Sequence, residues 1–185
     1  MMARVALMLL ALLHAISQSE RKPGAAASPV HKPKWEECKQ QSRRLYQHAR
    51  NVYHATKTSQ RITPTVDIPR IHCDDGCDPW SLRREKKRCL HPVLRVLHWY
   101  IAVFTSVKVD TSIEAEVIAV KNGMENLKGH LEAATGLHIA PVPPPTVDEW
   151  EREVFMKEVA ENLLTFSSLV ARIFHPGNPA HHAVQ

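Results

Sequence analysis

The chain is predicted to be all-α: a long-chain four-helix bundle with up-up-down-down topology and two long crossover connections. Apolar residues recur at spacings of three, four or seven in four separate stretches, and no stretch alternates in the manner of a β-strand. The link between the second and third stretches is only a few residues long, which predicts antiparallel neighbours. The other two links, of about twenty and about eleven residues, can each reach over roughly 30 Å. The helices that they join can therefore run parallel.

The first helix is predicted over about 35–57, where the apolar positions repeat with a helical period. Residues 58–77 have no such period and contain two prolines, so they are predicted to form the first crossover. The stripe that the first helix would bury consists of Trp35, Cys38, Leu45, Ala49, Val52 and Thr56.

A clear start signal precedes the second helix. Asp78 supplies a capping carboxylate and Pro79 suits the first helical position, so a short helical turn is predicted near 79–86. Pro92 is not expected inside an unbroken helix, and the main second helix is therefore predicted over about 91–106. Its stripe consists of Val93, Leu94, Leu97, Tyr100, Ile101 and Phe104.

Capping boxes, in which a Thr hydroxyl and a Glu three residues later each satisfy a helix-end amide, are predicted to open the last two helices. Thr111–Glu114 would begin the third helix, which runs to about residue 135 with Gly136 after its end. The proline-rich connection that follows is predicted to be extended. Thr146–Glu149 would then begin the fourth helix.

The fourth helix has one face for the core and a second face with unusual residues. Trp150, Val154, Ser168 and Arg172 fall on the side that faces away from the core. A tryptophan and an arginine on that side, about 33 Å apart, suggest a second partner for this helix. The core-facing stripe consists of Phe155, Val159, Leu163, Phe166, Val170 and Ile173.

The N-terminal residues predict secretion. An apolar run over 5–13 follows a positive charge and precedes small residues, which is typical of a cleaved signal peptide and too short to span a bilayer. The product is therefore expected to be extracellular, without membrane insertion. We predict a signal peptide at 1–19 and one domain at 20–185, with a flexible arm at 20–33 and a frayed tail at 176–185.

In a secreted chain the cysteines are expected to form disulfides, and four cysteines allow three intrachain pairings. A zinc site that adds His72 or His91 is disfavoured, because the spacings are poor and the compartment is oxidising. The four cysteines are Cys38, Cys73, Cys77 and Cys89.

Charge and motifs argue against several function classes. The net charge of +5 is mildly basic and does not by itself indicate nucleic acid binding. The sequence has no nucleophile motif, phosphate-binding loop or pair of metal-spaced carboxylates, so neither an enzyme nor a cofactor is expected. A secreted helical carrier of a small ligand is an alternative, which a large internal pocket would favour.

Residues 68–82, IPRIHCDDGCDPWSL, contain a proline-preceded Cys-x-Asp-Gly-Cys-Asp-Pro pattern, and Cys89 follows at a matching distance. This pattern closely resembles that of the interleukin-23 alpha-subunit family, which belongs to the interleukin-6 and interleukin-12 superfamily of helical cytokines. The implied fold is the long-chain cytokine bundle. Residues 35–38 are a weaker match. The last predicted helix matches the family without a gap at Trp150, Phe155, Phe166, Ala171, Arg172 and Phe174.

The resemblance implies a disulfide arrangement. Cys73 corresponds to the cysteine that bonds a partner chain, and Cys77 pairs with Cys89 inside the chain. Cys38 is then left unpaired, because a further cysteine of the family is Tyr46 in this sequence. Two internal bridges, Cys38–Cys73 and Cys77–Cys89, are the alternative.

The resemblance also implies partners. The family pairs, through an interchain disulfide and helix contacts, with a receptor-like beta subunit shared with interleukin-12. The heterodimer would bind the interleukin-23 receptor and the interleukin-12 receptor beta-1 chain, and would signal through Janus kinases in immune and inflammatory responses. A stand-alone cytokine of the interleukin-6 type, acting as a monomer, is the alternative.

On the same resemblance, two sets of residues on the last helix have separate roles. Arg172, with Ser168 and Thr165 beside it, would bind an acidic pocket of the beta subunit. Trp150, with Val154, would contact a receptor. The alternative for Arg172 is an ordinary solvated arginine.

Two further alternatives involve ordinary helix and surface chemistry. If Thr146 capped the last helix, Trp150 would be placed to pack back on Pro145 as a hydrophobic staple. A basic run is a candidate heparan sulfate site, although a solvated charged face is favoured. This run consists of Arg83, Arg84, Lys86, Lys87 and Arg88.

Overall fold

The computed structural model describes residues 35–56, 67–140 and 142–176. The predicted signal peptide, the arm and the tail beyond residue 176 lie outside the described residues. The described part of the chain forms helices and no β-strand, which confirms the all-α class, and none of its helices is long and apolar enough to cross a membrane. The helices are α1 Trp35–Ala55, α2 Pro79–Arg84, α3 Lys86–Ser106, α4 Glu114–Thr135 and α5 Arg152–Phe174, and a 3₁₀ turn lies at Cys73–Asp75.

Helix α1 runs antiparallel to both α4 and α5. The ring of Trp35, at the start of α1, and the ring of Phe174, at the end of α5, have centroids 5.3 Å apart. Glu37 Oε2 lies 3.3 Å from Nδ1 of His130, which belongs to the last turns of α4. Helix α1 therefore begins where its two neighbours end, and it packs against both.

Helix α3 packs against α4, also in the antiparallel sense. His98 Nε2 and Glu132 Oε1 lie 3.2 Å apart across this contact. The rings of Tyr100 and Phe166, 5.6 Å apart, join α3 to α5. Because α1 and α3 are each antiparallel to α4, they run parallel to each other, and α4 runs parallel to α5. The predicted up-up-down-down bundle is confirmed.

The core lies between the four long helices and consists of their apolar stripes. Every residue of the stripe predicted for α5 is buried. Helix α3 is buried more widely than predicted, since Val96, Trp99 and Val103 are buried beside its stripe, whereas Ile101 is half-buried. Burial of this apolar surface is the main force that holds the bundle together.

The prediction that the main second helix begins near residue 91 was wrong. Helix α3 begins at Lys86 and contains Pro92 in its second turn. Because proline has no amide hydrogen to donate, the Arg88 carbonyl lacks its usual helical partner. The surrounding packing holds this turn instead, since Cys89 and Pro92 are both buried.

The start of α4 differs from the prediction, whereas its end agrees with it. The predicted capping box at Thr111–Glu114 does not form, and α4 begins without a side-chain cap. Asp110 acts earlier in the chain, because its carboxylate accepts a hydrogen bond from the Ser112 amide at 2.7 Å and holds the segment in a turn. Gly136 follows the helix in the left-handed conformation, with φ 64°.

The prediction that a capping box at Thr146–Glu149 opens the last helix was also wrong. Helix α5 begins at Arg152, and no side chain caps it. The amides of Glu151 and Arg152 donate to carbonyls three residues earlier, at 3.1 and 3.4 Å, which forms a tighter turn before the helix. Trp150 lies in this turn. It therefore does not share a helical face with Arg172, as the sequence pattern predicted.

Candidate functional site

The starts of α1 and α3 and the ends of α4 and α5 lie at one end of the bundle, which we call the disulfide end. The ring of Trp35, at the start of α1, contacts that of Phe174 at the end of α5. The ammonium of Lys86, at the start of α3, lies 5.4 Å from the centroid of the same Trp35 ring. The opposite end, which we call the Trp150 end, contains the end of α1, the α3–α4 loop and the turn before α5.

The disulfide end is named for the bond between Cys77 and Cys89, whose Cα atoms are 4.8 Å apart. Cys77 precedes α2 and Cys89 lies early in α3, so the bond closes a loop that contains α2. Closure of a loop of this size contributes about 3 kcal/mol on the chain-entropy model. The pairing is the one that the resemblance implied, and it leaves neither sulfur available to a zinc ion.

The turn that begins at Cys73 is held by hydrogen bonds from two directions. The His72 amide donates to Asp75 Oδ2 at 2.7 Å, and the Asp75 amide donates to the His72 carbonyl at 3.1 Å. Arg88 of α3 donates from Nη2 to the Asp74 carbonyl at 3.0 Å. The backbone that bears Cys73 is therefore fixed to α3 by the residue that precedes Cys89 in the chain.

Gly76→Ala is expected to lower the free energy of unfolding by about 1–2 kcal/mol. Gly76 has φ 67°, and a Cβ there would lie 3.2 Å from Cδ of Arg88, so the substitution adds backbone strain and crowds the side chain that holds the turn. The control is Gly129→Ala. Gly129 lies inside α4 with open space around a Cβ, so alanine there is expected to raise stability by roughly 0.5–1 kcal/mol. Chemical denaturation measures both changes, and a shift of the same sign in the two variants would contradict this account.

Asp78 caps the start of α2, as predicted. The Asp78 carboxylate accepts hydrogen bonds from the amides of Trp80 and Ser81, each at 3.0 Å. Hydrogen bonds from Ser81, and then from Trp80, hold the pKa of Asp78 below its usual range. The Trp80 side chain is 65 % exposed. Sequence reasoning missed this exposure, although a short, arginine-rich segment with one aliphatic residue, Leu82, is a signal for it.

The two remaining cysteines lie in different elements, Cys38 in α1 and Cys73 in the 3₁₀ turn. Cys38 is 1 % exposed and carries a free thiol, whose pKa burial raises to about 11. Such a thiol stays protonated at neutral pH and is a poor nucleophile for disulfide exchange. Because the Cys38 thiol is free in the structure, the alternative Cys38–Cys73 bridge is not formed. Cys73 begins the 3₁₀ turn, which packs against α3.

The residues predicted to bind the beta subunit lie along the outer side of α5, toward the disulfide end. Arg172 is exposed in the last turn, Thr165 is exposed, and Ser168 is half-buried. The Thr165 hydroxyl donates to the Glu161 carbonyl of its own helix at 3.2 Å. Among the described residues, no carboxylate lies within ion-pair distance of Arg172. Its guanidinium is therefore available to a carboxylate of another chain.

The residues predicted to contact a receptor lie at the opposite end. Trp150 is 73 % exposed and therefore does not form a hydrophobic staple, whereas Val154, in the first turn of α5, is half-buried. The 23 residues of α5 separate Trp150 from the disulfide end by roughly 34 Å. A cleft of about 460 Å³ at the Trp150 end is lined by charges of both signs, which are Lys108, Asp110, Glu149, Arg152 and Glu153.

Comparison with known proteins gives similarities over most of the chain. The family model of interleukin 23 subunit alpha matches residues 33–178. Human interleukin-23 subunit alpha is 26 % identical over 193 aligned positions, which cover 96 % of this chain and 97 % of the human protein. The mouse protein is 26 % identical over 170 positions, with 83 % of this chain and 85 % of the relative covered. The rat protein is 25 % identical with the same coverage. The similarity therefore includes both ends of the bundle.

Proposed function

Since the chain belongs to the interleukin 23 subunit alpha family, we propose that it is secreted and acts as the alpha subunit of a heterodimer. Its partner in this proposal is the beta subunit shared with interleukin-12, joined to Cys73 by a disulfide. The heterodimer binds the interleukin-23 receptor and the interleukin-12 receptor beta-1 chain, and it activates Janus kinase signalling in immune and inflammatory responses. The family is one of cytokine subunits and not of enzymes.

The observation that most supports this function is the division of the candidate residues between the two ends of the bundle. The turn of Cys73 packs on the start of α3, and Arg172 lies in the last turn of α5, so both belong to the disulfide end. Trp150 lies just before the start of α5, at the other end of the bundle. A subunit that holds one protein covalently while it presents a second surface to a receptor needs such a separation.

The cysteine inventory supports Cys73 as the interchain thiol. Cys77 and Cys89 are joined to each other, and the Cys38 thiol is buried with a raised pKa. Of the four cysteines in the sequence, Cys73 is therefore the one left for a bond to another chain. In the oxidising secretory compartment a thiol at this position is expected to pair.

The surroundings of Arg172 suit a protein interface. Its neighbours on the outer side of α5, Thr165 and Ser168, are small, so the backbone of a partner can approach the helix closely. An arginine fork binds a carboxylate through two parallel hydrogen bonds, and a guanidinium is more weakly hydrated than an ammonium. We expect Arg172 to enter an acidic site on the beta subunit.

The experiment that tests the proposal is coexpression of the chain with the beta subunit, followed by a non-reducing gel of the secreted protein. A band with the summed mass of both chains is expected, and the chain expressed alone is expected to secrete poorly. Cys73→Ser is expected to abolish the larger band. Cys38→Ser is the matched control and is expected to retain it, because the Cys38 thiol is buried inside the bundle.

The outcomes test two hypotheses separately: that the chain forms a heterodimer, and that Cys73 forms the interchain bond. Efficient secretion of a stable and active monomer would contradict the heterodimer and favour the stand-alone cytokine. A larger band that persists in Cys73→Ser would contradict only the assignment of the bond to Cys73.

A further inference from the structure

Helix α3 presents a line of exposed basic side chains away from the core. Lys87, His91 and Arg95 follow one another at intervals of four residues and are all exposed. They therefore form one stripe, about 12 Å long. The first crossover lies alongside this stripe, because Arg88 of α3 donates to the Asp74 carbonyl of the crossover at 3.0 Å.

The crossover contributes two more basic side chains beside the stripe. Arg70 and His72 are exposed and, together with Arg95, line a cleft of about 620 Å³. The buried ring of Trp99 and the second crossover, at Val142, complete the wall of the cleft. We call the set Arg70, His72, Lys87, His91 and Arg95 the basic groove.

Carboxylates neutralise the basic groove only in part. Asp67 lines the cleft, and Glu158 of α5 lies near enough to Arg70 to interact with it electrostatically. Within the described ranges, however, no carboxylate forms an ion pair with Arg70, Lys87 or Arg95. The side chains of Arg70, Lys87 and Arg95 are therefore three exposed permanent positive charges without an ion-pair partner among the described residues.

The structure also places the members of the basic run Arg83–Arg88, which the sequence suggested as a polysaccharide site, on different surfaces. Lys86 lies 5.4 Å from the centroid of the Trp35 ring and is half-buried, and Arg88 is bound to the crossover. The first two arginines of the run belong to α2. Lys87 is the member of the run that joins the stripe on α3, so the run itself is not one surface.

We propose that the basic groove binds a linear sulfated glycosaminoglycan, with sulfate groups seated on Arg70, Lys87 and Arg95. Cations spaced along an exposed surface match the repeated anions of such a chain, and arginine forks bind a sulfate as they bind a phosphate. From the cleft at Arg95 the stripe continues about 12 Å along α3 to Lys87, which suits an extended polymer better than a compact ligand. Apart from His72, which precedes Cys73, the groove uses no residue of the proposed beta-subunit or receptor surfaces. A bound polysaccharide would therefore retain the cytokine at cell surfaces while the receptor surface stays accessible.

The test measures binding of the secreted heterodimer to a heparin oligosaccharide at physiological ionic strength. The double variant Arg70→Glu with Arg95→Glu is expected to bind about tenfold more weakly, because two attractions are replaced by two repulsions. The matched control is Arg83→Glu with Arg84→Glu, which changes the net charge equally and is expected to lose less than about threefold. Desulfated heparin is expected not to bind.

Each other outcome overturns the proposal. Equal losses in the two double variants would indicate general attraction to a basic protein. Full binding of desulfated heparin would exclude sulfate recognition, and unchanged binding of the groove variant would exclude the groove. If the groove variant secretes poorly, Arg70→Gln with Arg95→Gln removes the charges without repulsion and is expected to lose about threefold.

Discussion

Trp150→Ala is expected to weaken the binding of the heterodimer to its receptor by roughly 30-fold or more, while pairing with the beta subunit is unchanged. A tryptophan that is 73 % exposed in the subunit offers a large, rigid apolar surface, and its burial by a partner is strongly favourable. Truncation to alanine removes almost all of this contact. Surface plasmon resonance against the receptor ectodomain measures the change in Kd.

Trp80→Ala is the matched control for Trp150→Ala. Trp80 is 65 % exposed and lies at the disulfide end. Its loss therefore removes a similar area of exposed tryptophan from the end opposite the proposed receptor surface. We expect receptor affinity to be unchanged in this variant. If Trp80→Ala weakened receptor binding as much as Trp150→Ala, or if Trp150→Ala abolished pairing, the division of roles between the two ends would be contradicted.

Arg172→Ala is expected to weaken noncovalent pairing with the beta subunit by roughly 30-fold. The effect is largest where the partner's carboxylate stays buried and loses its only cation. The measurement is best made in the Cys73→Ser background, where no disulfide masks a loss of affinity. Arg172→Lys is expected to restore only part of the affinity, because an ammonium cannot bind a carboxylate as a two-pronged fork.

Arg95→Ala provides the control for this loss. Arg95 is likewise an exposed arginine on a long helix, but it lies on α3, outside the proposed beta-subunit surface. Pairing of the Arg95→Ala variant with the beta subunit is expected to be unchanged.

In the chain that retains Cys73, Arg172→Ala is also expected to reduce the yield of the covalent heterodimer. Wild-type pairing of Arg172→Ala in both backgrounds would exclude this arginine from the interface.

The helical stripes and the bundle topology could be predicted from the sequence because they depend on spacing and length alone. Apolar residues from Phe155 to Ile173 recur so that only one face of a helix can carry them, and that face is buried. The crossover lengths allow the paired helices to run parallel. Both properties are set by many residues at once, so no single local contact decides them.

The helix boundaries could not be predicted in the same way, because each depends on a competition between a few groups. Pro92 was expected to break α3, but its burial in the core keeps it within the helix. Thr111 was expected to cap α4, but the Asp110 carboxylate holds the Ser112 amide in a turn, and α4 begins without a side-chain cap. Tertiary packing and neighbouring side chains decide such cases, and neither is visible in a local motif.

The candidate site was predictable only in part. From the residues alone, the pairing of Cys77 with Cys89 was one of several possibilities, and the resemblance was needed to choose it. The basic groove was not predictable, because Arg70 and Arg95 are distant in the chain and meet only when the crossover lies along α3. Trp150 was correctly predicted to lie at the surface. The predicted reason, a position on the outer face of the last helix, was wrong, because Trp150 lies in the tighter turn before α5.

The hydrogen bond from Arg88 to the crossover affects the entropy cost of association with the proposed beta subunit. This bond and the neighbouring disulfide hold the turn of Cys73 within the chain itself, without a contribution from a second protein. Ordering a backbone residue costs about 1–2 kcal/mol in conformational entropy, and a preordered turn does not impose that cost on association. The rate of interchain bond formation would then be limited by encounter and alignment of two rigid surfaces, and not by local folding of the segment that carries the cysteine.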